Sequence, residues 1–96
     1  MNTEQKKTLI ENMTDNLPTL RKKLNLSQED LGSMIGVSRS TVAAIENKKR
    51  EMSWNTFLSL VLVFTKNKDT DVLLNVLSIY TDEFNDFIKH EGNVEQ

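Results

Sequence analysis

Ser38, Arg39, Ser40, Thr41 and Ala44 surround two apolar residues three apart, Val42 and Ile45. On a helix, that spacing turns Val42 and Ile45 toward a core and leaves the other five near an exposed N-terminal end. Their chemistry suits the edges of base pairs. Arginine donates two hydrogen bonds to guanine O6 and N7, serine and threonine donate or accept, and an alanine or threonine methyl packs on the thymine methyl. Any exposed first helical turn can have this composition, so the neighbouring residues add the weight. Ser27 and Gln28 open an earlier helix, and Asn47, Lys48, Lys49 and Arg50 follow the later one. Helix N-termini, short polar side chains and clustered cations are the groups that hold phosphates.

Charge is distributed to match. The 96-residue chain has a net charge of −2, which alone argues against a nucleic-acid partner. Residues 17–50, however, carry seven cations against three acids, a net of +4, whereas residues 67–96 carry two against seven, a net of −5. A basic working surface in the middle of the chain and an acidic segment that could meet a protein partner are the expected consequences.

Other chemistries lack their residues. There is no cysteine and a single histidine, His90, so neither a disulfide framework nor a thiolate or paired-histidine metal site can form. The sequence has no glycine-rich phosphate loop, and its carboxylates fall mostly on exposed helical faces. A non-enzymatic binding protein with no cofactor and no metal is expected. The longest apolar run, Leu60 to Phe64, is far short of the ~20 residues that span a bilayer, and the polar start lacks a signal-peptide core. The chain is therefore read as cytoplasmic, with no membrane partner.

The elements that must position these residues are all helical. Three glycines and one proline, with apolar residues recurring at three and four, favour helices throughout. Leu9, Ile10, Met13, Leu17, Leu20 and Leu24 share one face; Pro18 lies off it and either starts a helix after Thr14 or Asp15 or kinks a longer one. One start signal then occurs three times: an apolar residue, Ser, and an apolar residue four positions after that Ser. Leu26-Ser27-Leu31, Val37-Ser38-Val42 and Met52-Ser53-Phe57 each read as a capped N-terminus with a hydrophobic staple. Gly36 supplies the left-handed turn between the first two helices, which must cross sharply as a helix-turn-helix at about 27–47. Trp54 to Phe64 is apolar nearly all round, the pattern of a helix at the centre of a bundle or in an interface. A last helical segment spans about Thr70 to His90, with a possible break near Thr81.

The stretch LRKKLNLSQEDLGSMIGVSRSTVAAIENKKR followed by MSWNTFLSLVLVF resembles the Xre-type helix-turn-helix regulators, kin of the lambdoid phage repressors and Cro, over about residues 17–64. The resemblance implies an all-α, five-helix, repressor-like DNA-binding domain with an extra C-terminal helical segment. It also implies that Gln28 contacts DNA backbone and buttresses the recognition helix, that Ser38, Arg39, Ser40 and Ala44 face bases, that Asn47 touches phosphate, and that Arg21 pairs with Glu46. Two positions depart from the family pattern: Lys48 stands where many members have glycine, and Met52 where many have proline. Gly32 takes the place of the usual alanine.

The resulting expectation is a regulator of double-stranded DNA, a repressor acting as a homodimer on a palindromic operator. An antitoxin-like interaction module that controls its own operon is the alternative. Residues 1–68 are read as the DNA-binding domain with an N-terminal extension, and 69–96 as an acidic helical segment that either completes the same unit or dimerises. Trp54, Leu73, Leu77, Tyr80, Phe84 and Phe87 are the dimerisation candidates, because they exceed what a small five-helix core needs.

Overall fold

The computed structural model describes residues 1–90. Six helices occur in order: α1 (Thr3–Lys23), α2 (Gln28–Ile35), α3 (Arg39–Glu46), α4 (Trp54–Lys66), α5 (Lys68–Val76) and α6 (Asp82–Lys89). There is no strand among the described residues. The architecture is all-α, five helices plus one.

Pro18 neither starts nor ends a helix. α1 runs through it for 21 residues, from an N-terminal capping box in which Asn2 Oδ1 accepts from Gln5 N and Gln5 Oε1 accepts from Asn2 N. Leu9, Met13, Leu17 and Leu20 form its buried stripe, spaced at three and four as one helix face requires.

All three serine caps are formed. The side chains of Ser27, Ser38 and Ser53 accept from the backbone N–H three residues on, satisfying donors that have no intrahelical partner. Met52 and Phe57, the third staple, are both buried, so the position that departs from the proline of the resembled family pattern here fills the core.

α4 is a helix and it is the hub. Phe57, Leu60, Val61 and Phe64 are buried against α1, α2 and α5, while Leu62 on its far side is 60% exposed. The chain turns into α5 at Asn67, where the hydroxyl of the fully buried Thr70 donates to Phe64 O at 2.7 Å and to Asn67 O at 3.0 Å. This satisfies a carbonyl at the end of α4 that has lost its helical partner.

The C-terminal segment breaks at residues 77–81. Ser78 takes a left-handed backbone (φ 58°) and Thr81 caps α6 by accepting from Phe84 N. Leu74, Ile79 and Phe84 join the same core as α1–α4.

That core placement corrects one expectation. Phe84 is 1% exposed, its ring edge-on to Phe57, Trp54 and Tyr80 at centroid distances of 5.6, 6.0 and 5.2 Å, so it cannot face a second copy. Trp54, Leu73, Leu77 and Tyr80 are half-buried against the core, and only Phe87, at 41%, is broadly exposed. The most exposed large apolar side chains among the described residues are Val76 and Val72, one turn apart on α5. No described helix is long and apolar enough to cross a membrane.

Candidate nucleic-acid interface

Two glycines fix how α2 meets α3. Gly36 closes α2 with φ 80°, a backbone few other residues adopt cheaply, and its N–H returns to Gly32 O. Gly32 lies against the following turn: a Cβ there would stand 2.6 Å from Val37 O and 3.3 Å from Ser38 C. The missing methyl lets the turn close onto α2, which sets the crossing of the two helices.

α3 is held at its other end by a charged cluster. Arg21 Nε donates to Glu46 Oε2 at 2.8 Å, Arg21 Nη2 to Glu46 Oε1 at 3.0 Å, and Arg21 Nη1 to Leu26 O at 2.9 Å. Gln28 Nε2 adds a fourth bond, to Glu46 Oε1 at 3.0 Å. The two charged side chains are only 11% and 6% exposed. Burial pushes the Glu46 carboxyl up, but hydrogen bonds from Arg21 and Gln28 and the Arg21 charge outweigh it and hold the carboxyl below its usual range. The same hydrogen bond holds Arg21 more firmly protonated.

Between these anchors, Val42 and Ile45 are buried and Ser38, Arg39 and Ser40 are exposed, with Thr41 and Ala44 partly so. Ser38 Oγ accepts from Thr41 N at 3.1 Å and lies 2.9 Å from Thr41 Oγ1. The Arg39 guanidinium makes no hydrogen bond or ion pair among the described residues.

The loop after α3 begins with a left-handed residue, Lys48 (φ 61°). In the family that the sequence resembles this position is often glycine, and the backbone does here what glycine would do. Lys48 N bonds Ile45 O and Lys49 N bonds Ala44 O, tying the loop to the last turn of α3. Lys48 Nζ pairs with Asp15 Oδ1 on α1 at 2.7 Å, both side chains more than half exposed. Asn47, Lys49 and Arg50 are exposed. Lys48, Lys49 and Arg50 line an open groove of about 710 Å³ between the loop and α1, which also receives Lys6 and Lys7. Ser27 and Gln28 lie at the start of α2, where the Ser27 side chain is engaged in a capping box with Asp30.

Residues 19–60 match a family model described as helix-turn-helix. Over that segment the chain carries a helix-turn-helix. No curated protein and no solved structure matches the chain. The helix-turn-helix match makes the protein a DNA-binding transcription regulator in general terms, acting on double-stranded DNA through a domain that is not enzymatic. The matched segment starts within α1 and stops within α4, so the first four turns of α1 and all of α5 and α6 lie outside it.

Four contacts around the helix-turn-helix are not encoded by any local sequence pattern. Lys48 meets Asp15, Arg50 meets Thr41, and Lys6 Nζ sits over both the Trp54 and Phe87 rings, at 5.1 and 5.3 Å from their centroids. The Lys6 contacts join residues 48 and 81 positions apart, and no local pattern encodes such a pairing.

Proposed function

We propose that the protein is a repressor that binds a palindromic operator as a homodimer, reading bases with the exposed start of α3. The observation that carries this reading is Arg39: a guanidinium with no partner among the described residues, on the first turn of a helix fixed at both ends. A side chain so placed can spend its fork of donors on guanine, and the rigid helix beneath it sets the register. Ser38, Ser40, Thr41 and Ala44 complete the base-facing group.

Backbone contacts fall to Ser27, Gln28, Asn47, Lys48 and Lys49. Gln28 retains one amide proton and its carbonyl oxygen beyond the bond to Glu46. Lys48 exchanges its exposed partner Asp15 for a phosphate, an exchange that costs little because exposed pairs contribute only about 0–1 kcal/mol.

Pairing is assigned to the last segment. Val72 and Val76, 66% and 78% exposed, form a row on α5 beside the half-buried Leu73 and Leu77. Burying such a row in a two-fold interface removes apolar surface from water and presents two copies of α3 about 34 Å apart, one turn of DNA. The acidic α6 residues Asp82, Glu83 and Asp86 then face away from the phosphates.

Selection of bound fragments from random double-stranded DNA by the purified full chain tests the reading. Enrichment of a two-fold symmetric site, with light scattering showing a dimer at micromolar concentration, is the expected result. Enrichment of no sequence overturns operator recognition, and a monomer at high micromolar concentration overturns the dimer.

A further inference from the structure

Arg50 leaves the α3–α4 loop and turns back over the start of the recognition helix. Its Nη1 donates to Thr41 Oγ1 at 3.5 Å, and Thr41 Oγ1 in turn lies 2.9 Å from Ser38 Oγ. With Thr41 accepting from Arg50, its own proton is available to Ser38, so three side chains from two elements form one relay across the first turn of α3.

We propose that Arg50 is a second base-reading arginine, aimed by Thr41 at a base pair next to the one Arg39 reads. This rests on the operator reading, and deepens it by moving Arg50 from the phosphate-gripping cluster to the base-facing group. Its origin is fixed on both sides: the preceding residues Lys48 and Lys49 are bonded to the end of α3, and two residues later Met52 is buried in the core. A long side chain held between two such points has less conformational freedom to lose on binding.

Its donors are also available. Arg50 makes no ion pair with a carboxylate among the described residues, and the bond to Thr41 uses one of its five N–H groups. Guanine O6 and N7 need two in parallel. Lys49 is a contrast: it bonds no other side chain among the described residues, the situation of a cation that meets phosphate wherever the backbone passes. Thr41 thereby becomes a positioning residue for Arg50 in addition to any methyl contact of its own.

The test uses the full chain and the site enriched from random DNA. Affinities for that site, for each single base-pair change in it, and for random DNA are measured at several salt concentrations for the parent, Arg50→Ala, Arg50→Lys and Thr41→Val. Expected for Arg50→Ala is a loss of about 10- to 100-fold in discrimination at one base pair of each half-site, with discrimination elsewhere kept. Arg50→Lys loses the same discrimination while keeping the salt slope, because a lysine has the charge without the planar fork. Thr41→Val weakens that discrimination in part, at the Arg50 base pair. A uniform loss over all sequences in Arg50→Ala, with a salt slope lower by about one per subunit and recovery in Arg50→Lys, overturns the inference alone. If the parent enriches no sequence, the operator reading falls and this inference with it.

Discussion

Arg21 grips both carboxylate oxygens of Glu46, so the last turn of α1, the longest helix among the described residues, is bonded directly to the last turn of α3. Since Arg21 also donates to Leu26 O and Gln28 donates to Glu46, the start of α2 is tied into the same cluster. Three helices share one polar joint in a region otherwise held by apolar packing, and a bidentate, nearly buried pair is a stronger joint than a surface contact.

Removing either partner leaves the other charge nearly buried and unpaired, which is expected to cost about 3–5 kcal/mol. A double-mutant cycle of Arg21→Met and Glu46→Gln, followed by urea unfolding, is expected to give a coupling of about 1–3 kcal/mol. A coupling below roughly 0.5 kcal/mol would contradict a structural role for the pair.

Acid should loosen this joint. The Glu46 carboxyl is held below its usual range in the folded protein, so its contribution is complete above the ordinary carboxylate pKa, about 4, and is lost as pH falls through the lowered folded value. Asp30, lowered by its bonds with Ser27, acts in the same direction. Urea midpoints measured from pH 6 to pH 2.5 should show the parent losing its advantage over Glu46→Gln below about pH 4. A constant gap between the two down to pH 2.5 would show that Glu46 is not the titrating group.

Arg39→Ala is expected to lose about 1–3 kcal/mol of specific binding and to relax preference at one position of each half-site. Lys49→Ala should instead weaken all DNA sequences alike and lower the salt slope by about one per subunit. Binding isotherms on operator and random DNA at matched salt separate the two. If both variants bind like the parent, the DNA face lies elsewhere.

Lys48 occupies a left-handed backbone that costs a residue with a side chain roughly 1 kcal/mol relative to glycine. Lys48→Gly should therefore raise stability by up to about 1 kcal/mol, the gain reduced by whatever the exposed Asp15 pair contributes. Thermal unfolding of Lys48→Gly beside Lys48→Ala distinguishes the backbone from the charge: both remove the cation, and only glycine relieves the strain.

Much of the helix-turn-helix was legible because its signals are local. Ser27, Ser38 and Ser53 each announce a helix start through neighbours within five positions, and Gly36 announces the turn between α2 and α3. The course of α1 through Pro18 was not legible, since a proline off the buried face is compatible with a start or an interior position. Phe84 was misread for a different reason. Apolar residues in excess of a minimal core look alike whether they close their own fold or another copy's, and only the Phe57, Trp54 and Tyr80 rings around Phe84 distinguish the cases. Of the candidate interface, residue types were readable and reach was not: nothing in the sequence tells that Arg50 turns back to Thr41 or that Lys48 finds Asp15.

The indole of Trp54, the chain's only tryptophan, stacks on Phe57 at 4.9 Å, meets Phe84 and Phe87 edge-on, and has the Lys6 ammonium over its face. Two of these neighbours belong to α6 and one to the first turns of α1, so the fluorophore's surroundings change when the last helix lifts or the N-terminal turns fray. The molecule thus contains an optical gauge at the end formed by α1, α4 and α6. Ultraviolet emission can follow that end without a label, while a probe attached near Arg39 follows the recognition helix, and comparison of the two signals shows whether events at one end are felt at the other.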